Sequence, residues 1–330
     1  GYITDDNGIL VPENSSSNYA SQQKVFDDLG VDVLNNAFKG YHTCLFAYGQ
    51  TGSGKSYSIV GYGKNEGVIP MTCKEIFRRI EEAKAKPDNK KAFKVTISML
   101  EIYNENVHDL FVHPNQRQKG GLKVRESKGD VYVENLTKIP VESYQDIEEQ
   151  IQMGNSYRTI GATNMNATSS RAHTVTTISF SQTEMENGQP THQIKSDINL
   201  VDLAGSERQS GTGASGERLK EGSNINKSLS FLGRCIHILA ERSTGQGKNK
   251  NMQVPYRESK LTRILQNALG GNSKTSMIAA LSPASVNFDE TLSTLRYANQ
   301  VKAIKNDAKV NESAHDKLIR ELKEENERLK

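Results

Sequence analysis

Apolar residues along this chain recur with two periods that trade places. From Gln23 to Phe38 the set Val25, Phe26, Leu29, Val33, Leu34 and Phe38 falls at helical spacing and predicts one helix. Residues 1–20 before it are polar and turn-rich and read as a loop. Cys44-Leu45-Phe46-Ala47-Tyr48 is a short apolar run stopped by a glycine, the pattern of a strand buried on both faces. Helices are expected from near Gly54 and over Lys74–Lys84. Phe93–Tyr103 alternates through Val95, Ile97 and Met99 as a strand does, and a polar helix covers Ser143–Tyr157. Thr174–Gln182 and Lys195–Val201 read as antiparallel strands, with turn chemistry at Asn187-Gly188. Helical stretches follow over Gly222–Glu241 and Glu258–Leu269. Ser276–Leu281 is another buried strand, and Asp289–Lys305 a last core helix. Strands alternating with helices predict an α/β domain over residues 1–306, a central, mostly parallel twisted sheet with helices on both faces.

Composition narrows the partners. The 330 residues are 35% hydrophobic and 25% charged, with net charge +3, so no global charge points to nucleic acid and any polyanion site is local. No apolar run approaches the length of a membrane span, so no direct membrane insertion is expected. Cys44, Cys73 and Cys235 are widely separated and odd in number, which reads as reduced thiols and a cytoplasmic setting. The 7 histidines show no metal-cage spacing, and Mg²⁺ carried by a nucleotide is the one ion implied.

Gly49-Gln50-Thr51-Gly52-Ser53-Gly54-Lys55-Ser56 matches the phosphate-loop pattern G-x-x-x-x-G-K-[ST], between a strand and a helix as that loop requires. Its backbone N–H groups would cradle the phosphates of a nucleoside triphosphate. Lys55 would reach the β- and γ-phosphates, and the Ser56 hydroxyl would ligate Mg²⁺. Asp202-Leu203-Ala204-Gly205 follows the strand ending at Val201. An Asp so placed holds the Mg²⁺ shell, often through water, and the Gly offers an N–H to the γ-phosphate. A third, hydroxyl-rich string is Asn166-Ala167-Thr168-Ser169-Ser170-Arg171-Ala172-His173.

Together the three strings resemble the nucleotide pocket of a kinesin motor domain, with its GQTGSGK[ST]-type loop, N-x-x-S-S-R-S-H and D-L-A-G-S-E signatures. Asp202-Leu203-Ala204-Gly205-Ser206-Glu207 matches the last in full, and the likeness runs from about Tyr19 to Glu312. The resemblance implies a P-loop NTPase of the kinesin-motor fold that binds ATP and Mg²⁺ and works on microtubules. Ser169 and Ser170 then belong to the first switch, with Ser170 contacting Mg²⁺ and the γ-phosphate. Arg171 pairs with Glu207 of the second switch when ATP closes the site, and Tyr57 stacks on adenine. Two departures stand out. Ala172 replaces the family's Ser, for which an altered rate is expected. The family's opening strand, with its Arg-x-Arg-Pro adenine contact, has no counterpart in this sequence, so a sheet edge is expected to lack its neighbour.

Arg242, Lys248, Lys250, Arg257, Lys260 and Arg263 lie in a stretch with one acid, Glu258. Arg257, Lys260 and Arg263 fall three apart, as residues on one helix face do. Pro255–Arg263 resembles the kinesin segment that binds acidic tubulin, so the track face is expected at Arg208, Arg218, Lys220, Lys248, Lys250, Arg257, Lys260 and Arg263. The helix with Asn224-Ile225-Asn226-Lys227-Ser228-Leu229 belongs to the same site. Thr244–Asn251, Gly270–Thr275 and Asn287–Tyr297 look most like kinesin-3. Residues 307–313 resemble a neck linker, implying plus-end-directed movement. Over 314–330, Ile319, Leu322, Asn326 and Leu329 fit either the start of a homodimeric neck coil or an ordinary amphipathic helix. The resemblance implies a Mg²⁺-ATP-driven cargo motor on the microtubule cytoskeleton. The alternatives are a microtubule-binding scaffold with impaired hydrolysis, a signalling GTPase, and a depolymerising kinesin, whose characteristic neck and tip-binding loop are not evident in the sequence. No guanine-reading segment supports the GTPase.

Overall fold

The structure, a computed structural model, describes residues 1–127, 129–165, 169–207, 217–245, 247–248, 251–312 and 314–329. The chain opens on a hairpin rather than the expected loop. The Asp5 carboxylate accepts from the N–H groups of Asn7 and Ile9, and Gly8 adopts φ 78°. Tyr2–Thr4 (β1) and Leu10–Pro12 (β2) therefore pair antiparallel; strands this short leave no alternation to read. The expected helix over Gln23–Phe38 follows as Gln22–Val25 (α1), a π turn at Phe26–Gly30, and Val31–Phe38 (α2). Gly30 permits the wide turn, because a Cβ there would lie 2.3 Å from the Phe26 ring.

Thr43–Tyr48 (β3) is buried at every position and leads into Lys55–Ile59 (α3). Gly61–Tyr62 (β4) and Asn65–Glu66 (β5) pair before Val68–Lys84 (α4). That helix buries Val68, Ile69, Thr72, Cys73, Ile76, Phe77 and Ile80, one stripe at 3–4 spacing. Lys91–Tyr103 (β6), Asn106–Asp109 (β7), Val124–Ser127 (β8), Asp130–Val133 (β9) and Ile139–Val141 (β10) precede Tyr144–Met165 (α5). His173–Glu186 (β11) and Gln189–Asp202 (β12) then form a long hairpin. Its turn residues Asn187 and Gly188 take φ 52° and 76°, the left-handed pair that a two-residue turn demands. Glu217–Thr244 (α6), Lys260–Ile264 (α7), Lys274–Ala279 (β13), Phe288–Lys302 (α8), Asn311–Glu312 (β14) and Ala314–Leu329 (α9) complete the chain.

The main sheet runs β10-β6-β11-β12-β3-β13, with β7 added on β6 and β14 on β12. It is mixed, which corrects the mostly parallel sheet expected from sequence. Among the described residues, β3 pairs parallel with β12 and β13, and the other pairings of this sheet are antiparallel. A parallel pair needs a long crossover, and here crossovers surround β3. The two-residue turn makes β11 and β12 antiparallel over their whole length. β13 ends the sheet path, and its residues beyond Lys274 are half-buried.

Side chains alternate across β3. Leu45 and Ala47 join a core with Leu34, Ile76, Ile97 and Ile198, while Cys44, Phe46 and Tyr48 join a second with Leu232, Ile236, Leu261 and Leu265. Helices thus cover both faces, as expected. All three cysteines are free and buried, and burial pushes the Cys44 and Cys235 thiols up to about 12. The expected helix over Glu258–Leu269 is instead broken into a 3-10 turn (Tyr256–Glu258), α7 and a second 3-10 turn (Gln266–Ala268). Ser259 causes the first break: it is extended (φ −141°, ψ 149°), and its side chain accepts from Thr262 N–H to cap α7.

Candidate functional site

The loop between β3 and α3 is shaped by its glycines. Gly49, Gly52 and Gly54 take φ 153°, 81° and 101°, and a Cβ on Gly49 would lie 2.1 Å from the Ala280 carbonyl oxygen. Lys55 and Ser56 open α3, and the backbone N–H groups of a helix's first turn suit an anion. Lys55 is 7% exposed, and its ammonium donates to the Gln50 carbonyl at 2.8 Å. Burial pulls its pKa down, while the Asp202 and Glu207 carboxylates pull it back up.

Asp202 closes β12 beside this loop. Its Oδ2 accepts from the Ser56 hydroxyl at 2.5 Å, and its Oδ1 is buried without a hydrogen-bond partner. Burial raises the carboxyl's pKa, opposed by the Ser56 hydrogen bond and by the charges of Arg158 and Lys55. A buried oxygen with an unused lone pair, next to a serine hydroxyl, fits a hard divalent cation or its water shell. Arg158 on α5 is itself bonded to Glu101 at 3.1 Å.

The three loops meet at the pocket. Gly205 N–H donates to the Ser170 carbonyl at 2.9 Å, and Ser206 N–H donates to the Gly49 carbonyl at 3.0 Å. Glu207 accepts from Thr51 N–H at 2.8 Å and from the Thr51 hydroxyl. A Cβ on Gly205 would sit 2.3 Å from Thr51 Oγ1 and would displace the Thr51 and Glu207 side chains. Thr51 therefore holds the Glu207 carboxylate in this structure. Ser169–Arg171 is a short 3-10 turn. Ser170 lines a cavity of about 370 Å³ with Lys55, Ser56 and Tyr57, while the Ser169 side chain lies outside the described residues. Gly52 lines it too, and the Ser53 hydroxyl donates to Gln50. Tyr57 faces Tyr62, ring centroids 6.1 Å apart.

Sequence reasoning passed over His173, the last residue of the hydroxyl-rich string. It is 2% exposed and lies between Ala204 N–H, which donates to Nδ1 at 3.0 Å, and the Ser228 hydroxyl, 2.8 Å from Nε2. Ala172, 4% exposed, lines a second cavity of about 350 Å³ with Ser56, Arg117 and Arg158.

The basic segment is less uniform than its spacing implied. Arg257 is exposed in the 3-10 turn and bonds Glu126 at 3.0 Å, whereas Lys260 and Arg263 are half-buried on α7. The break at Ser259 means the three do not share one helix face. Lys260 N–H donates to Glu105 at 2.9 Å, and Arg263 Nε is buried without a partner. Lys248 is exposed; Arg208 and Lys250 lie outside the described residues, as do the side chains of Arg218 and Lys220 on α6. Beyond α8, Asn306 donates to the Ala268 and Ser273 carbonyls, and Asn311 N–H donates to the Gly40 carbonyl at 2.9 Å, seating 306–312 along the core. On α9, Leu322 and Leu329 are 61% and 77% exposed.

With this geometry in hand, the family described as the kinesin motor domain matches residues 12–304. Kinesin-related protein 1 of Dictyostelium discoideum is 52% identical over 320 residues, covering 96% of this chain and 14% of its own length. Kinesin-like protein KIF1A of Rattus norvegicus is 50% identical over 322 residues, 95% of this chain and 18% of the relative. The chain thus spans less than a fifth of these relatives. A solved two-headed KIF14 dimer with AMP-PNP on a microtubule superposes with TM-score 0.82 at 47% identity, covering 93% of this chain and 84% of that one. KIF14 with ADP on a microtubule gives 0.74 at 47%, covering 91% and 83%. The chain belongs to the kinesin motor-domain family, with kinesin-3 members among its relatives at about half identity.

Proposed function

We propose that this chain is a microtubule-stimulated ATPase that couples Mg²⁺-ATP hydrolysis to plus-end-directed movement and cargo transport. The observation that carries the reading is the convergence of three loops on one cavity, joined by Gly205 to Ser170, Ser206 to Gly49 and Glu207 to Thr51. Lys55 and the N–H groups of the glycine loop bind the phosphates, and Tyr57 flanks the base. Ser56, Ser170 and, through water, Asp202 would hold Mg²⁺, which would supply positive charge to neutralise the phosphates. Gly205 presents its N–H to the terminal phosphate by exchanging its Ser170 partner. Glu207 leaves Thr51 for Arg171, and the pair positions the attacking water. Hydrolysis of this kind needs placement and charge stabilisation more than a strong base. Loss of the terminal phosphate releases both switches, and the basic face changes its grip on the acidic polymer.

Arg257, Lys260 and Arg263, with Arg208, Arg218, Lys220, Lys248 and Lys250, form that face. Residues 307–313 act as the lever, and 314–330 begin a neck coil whose exposed Leu322 and Leu329 suit a second copy. No described helix is long and apolar enough to cross a membrane. The second reading, a filament-binding scaffold with impaired hydrolysis, rests on buried Ala172 in place of the family's serine. Gliding of polarity-marked microtubules on surface-bound protein tests both. Movement with minus ends leading supports the plus-end motor; binding without movement supports the scaffold.

A further inference from the structure

We propose that the His173 imidazole is a buried strut that carries the state of the phosphate-sensing loops into α6, a positioning role for a residue outside the reacting groups. This rests on the motor reading above. Its geometry is specific. Ala204 N–H donates to Nδ1 at 3.0 Å, so Nε2 carries the ring proton and donates to the Ser228 hydroxyl at 2.8 Å. His173 begins β11 directly after the Ser169–Arg171 turn, Ala204 lies between Asp202 and Gly205, and Ser228 sits within α6. One ring therefore joins three elements 31 and 55 residues apart in sequence.

Burial makes the strut stiff. His173 is 2% and Ser228 3% exposed, so water does not replace a stretched bond. When Gly205 and its neighbours move toward a terminal phosphate, Ala204 draws on the ring. The ring must then take Ser228 with it or leave an N–H buried and unpaired. Displacement of α6 reaches two places. It packs against α7, which carries Lys260 and Arg263, and against α8, which leads to Asn306. Ser228 is turned into the core, so its removal deletes no filament contact. That separates transmission from binding.

The test is co-sedimentation of the whole chain with microtubules, in AMP-PNP and in ADP, read as the ratio of the two dissociation constants. Ser228→Ala removes the acceptor, and His173→Asn keeps an acceptor for Ala204 while losing reach to Ser228. Each is expected to shrink the wild-type ratio by about threefold to tenfold, the worth of one buried hydrogen bond. The double variant shrinks it no further, and Ser228→Thr restores it. A structural role alone would change melting temperature without changing this ratio. An unchanged ratio in Ser228→Ala, or multiplied effects in the double variant, overturns the strut while leaving the motor reading intact. No nucleotide dependence in the wild type overturns the motor reading and the strut with it. If Ser228→Ala does not fold, His173→Asn against Ser228→Thr makes the same decision.

Discussion

Acidification should destabilise this protein through one imidazole. His173 is 2% exposed, and burial, reinforced by the Lys55 charge, lowers its pKa from the ordinary 6.5 to about 3. A protonated ring would also turn Nδ1 into a donor facing the Ala204 N–H. The folded state thus binds fewer protons than the unfolded chain between those values, so stability is full above the unfolded pKa and falls as pH drops toward 3. At pH 5, some 1.5 units below the unfolded value, the group has removed about 2 kcal/mol relative to pH 7, at about 1.4 kcal/mol per unit. Asp202, whose pKa burial raises, works in the opposite direction but is present in wild type and variant alike. Urea unfolding of wild type and His173→Asn at both pH values measures the difference directly. Wild type should lose about 2 kcal/mol more than the variant on going to pH 5. Parallel losses would show that the ring is not held neutral by the fold.

Lys55→Ala removes the buried ammonium that lines the cavity and should weaken ATP binding by at least about 100-fold in a fluorescent-nucleotide titration. Glu207→Ala should still bind ATP but hydrolyse it about 100- to 1,000-fold more slowly, and equal turnover would contradict its assigned role. Gly49→Ala forces a Cβ to 2.1 Å from the Ala280 oxygen and should cost about 2–4 kcal/mol in urea unfolding. Lys260→Ala with Arg263→Ala should weaken microtubule affinity, with a smaller deficit at high salt because the lost interaction is screened there.

Much of the fold was legible because its signals are local. The apolar run at Cys44–Tyr48 and the Asn187-Gly188 turn each appear where the pattern placed them. Strand direction was legible at the β11–β12 hairpin, from its turn, and not elsewhere in the sheet. Alternation in Phe93–Tyr103 says which face is buried but nothing of which neighbour it meets, so the antiparallel pairing of β6 with β11 and β10 was not read and the sheet was expected to be mostly parallel. Ser259 hid its break because the apolar residues that follow it, Leu261, Leu265 and Leu269, keep helical spacing. The phosphate loop, Asp202 and Gly205 were readable, since their chemistry fixes residue type and spacing together. The Thr51–Glu207 contact and the His173 bridge were not, because 156 and 55 residues separate their partners.

The central claim is that filament binding at the basic face accelerates chemistry in the three-loop pocket. Steady-state ATP turnover measured against rising microtubule concentration tests it most directly. Turnover should climb from a slow basal rate to a saturating plateau at least about tenfold higher, a coupling of about 1.4 kcal/mol or more. A flat line, with microtubules bound at every concentration, would contradict it.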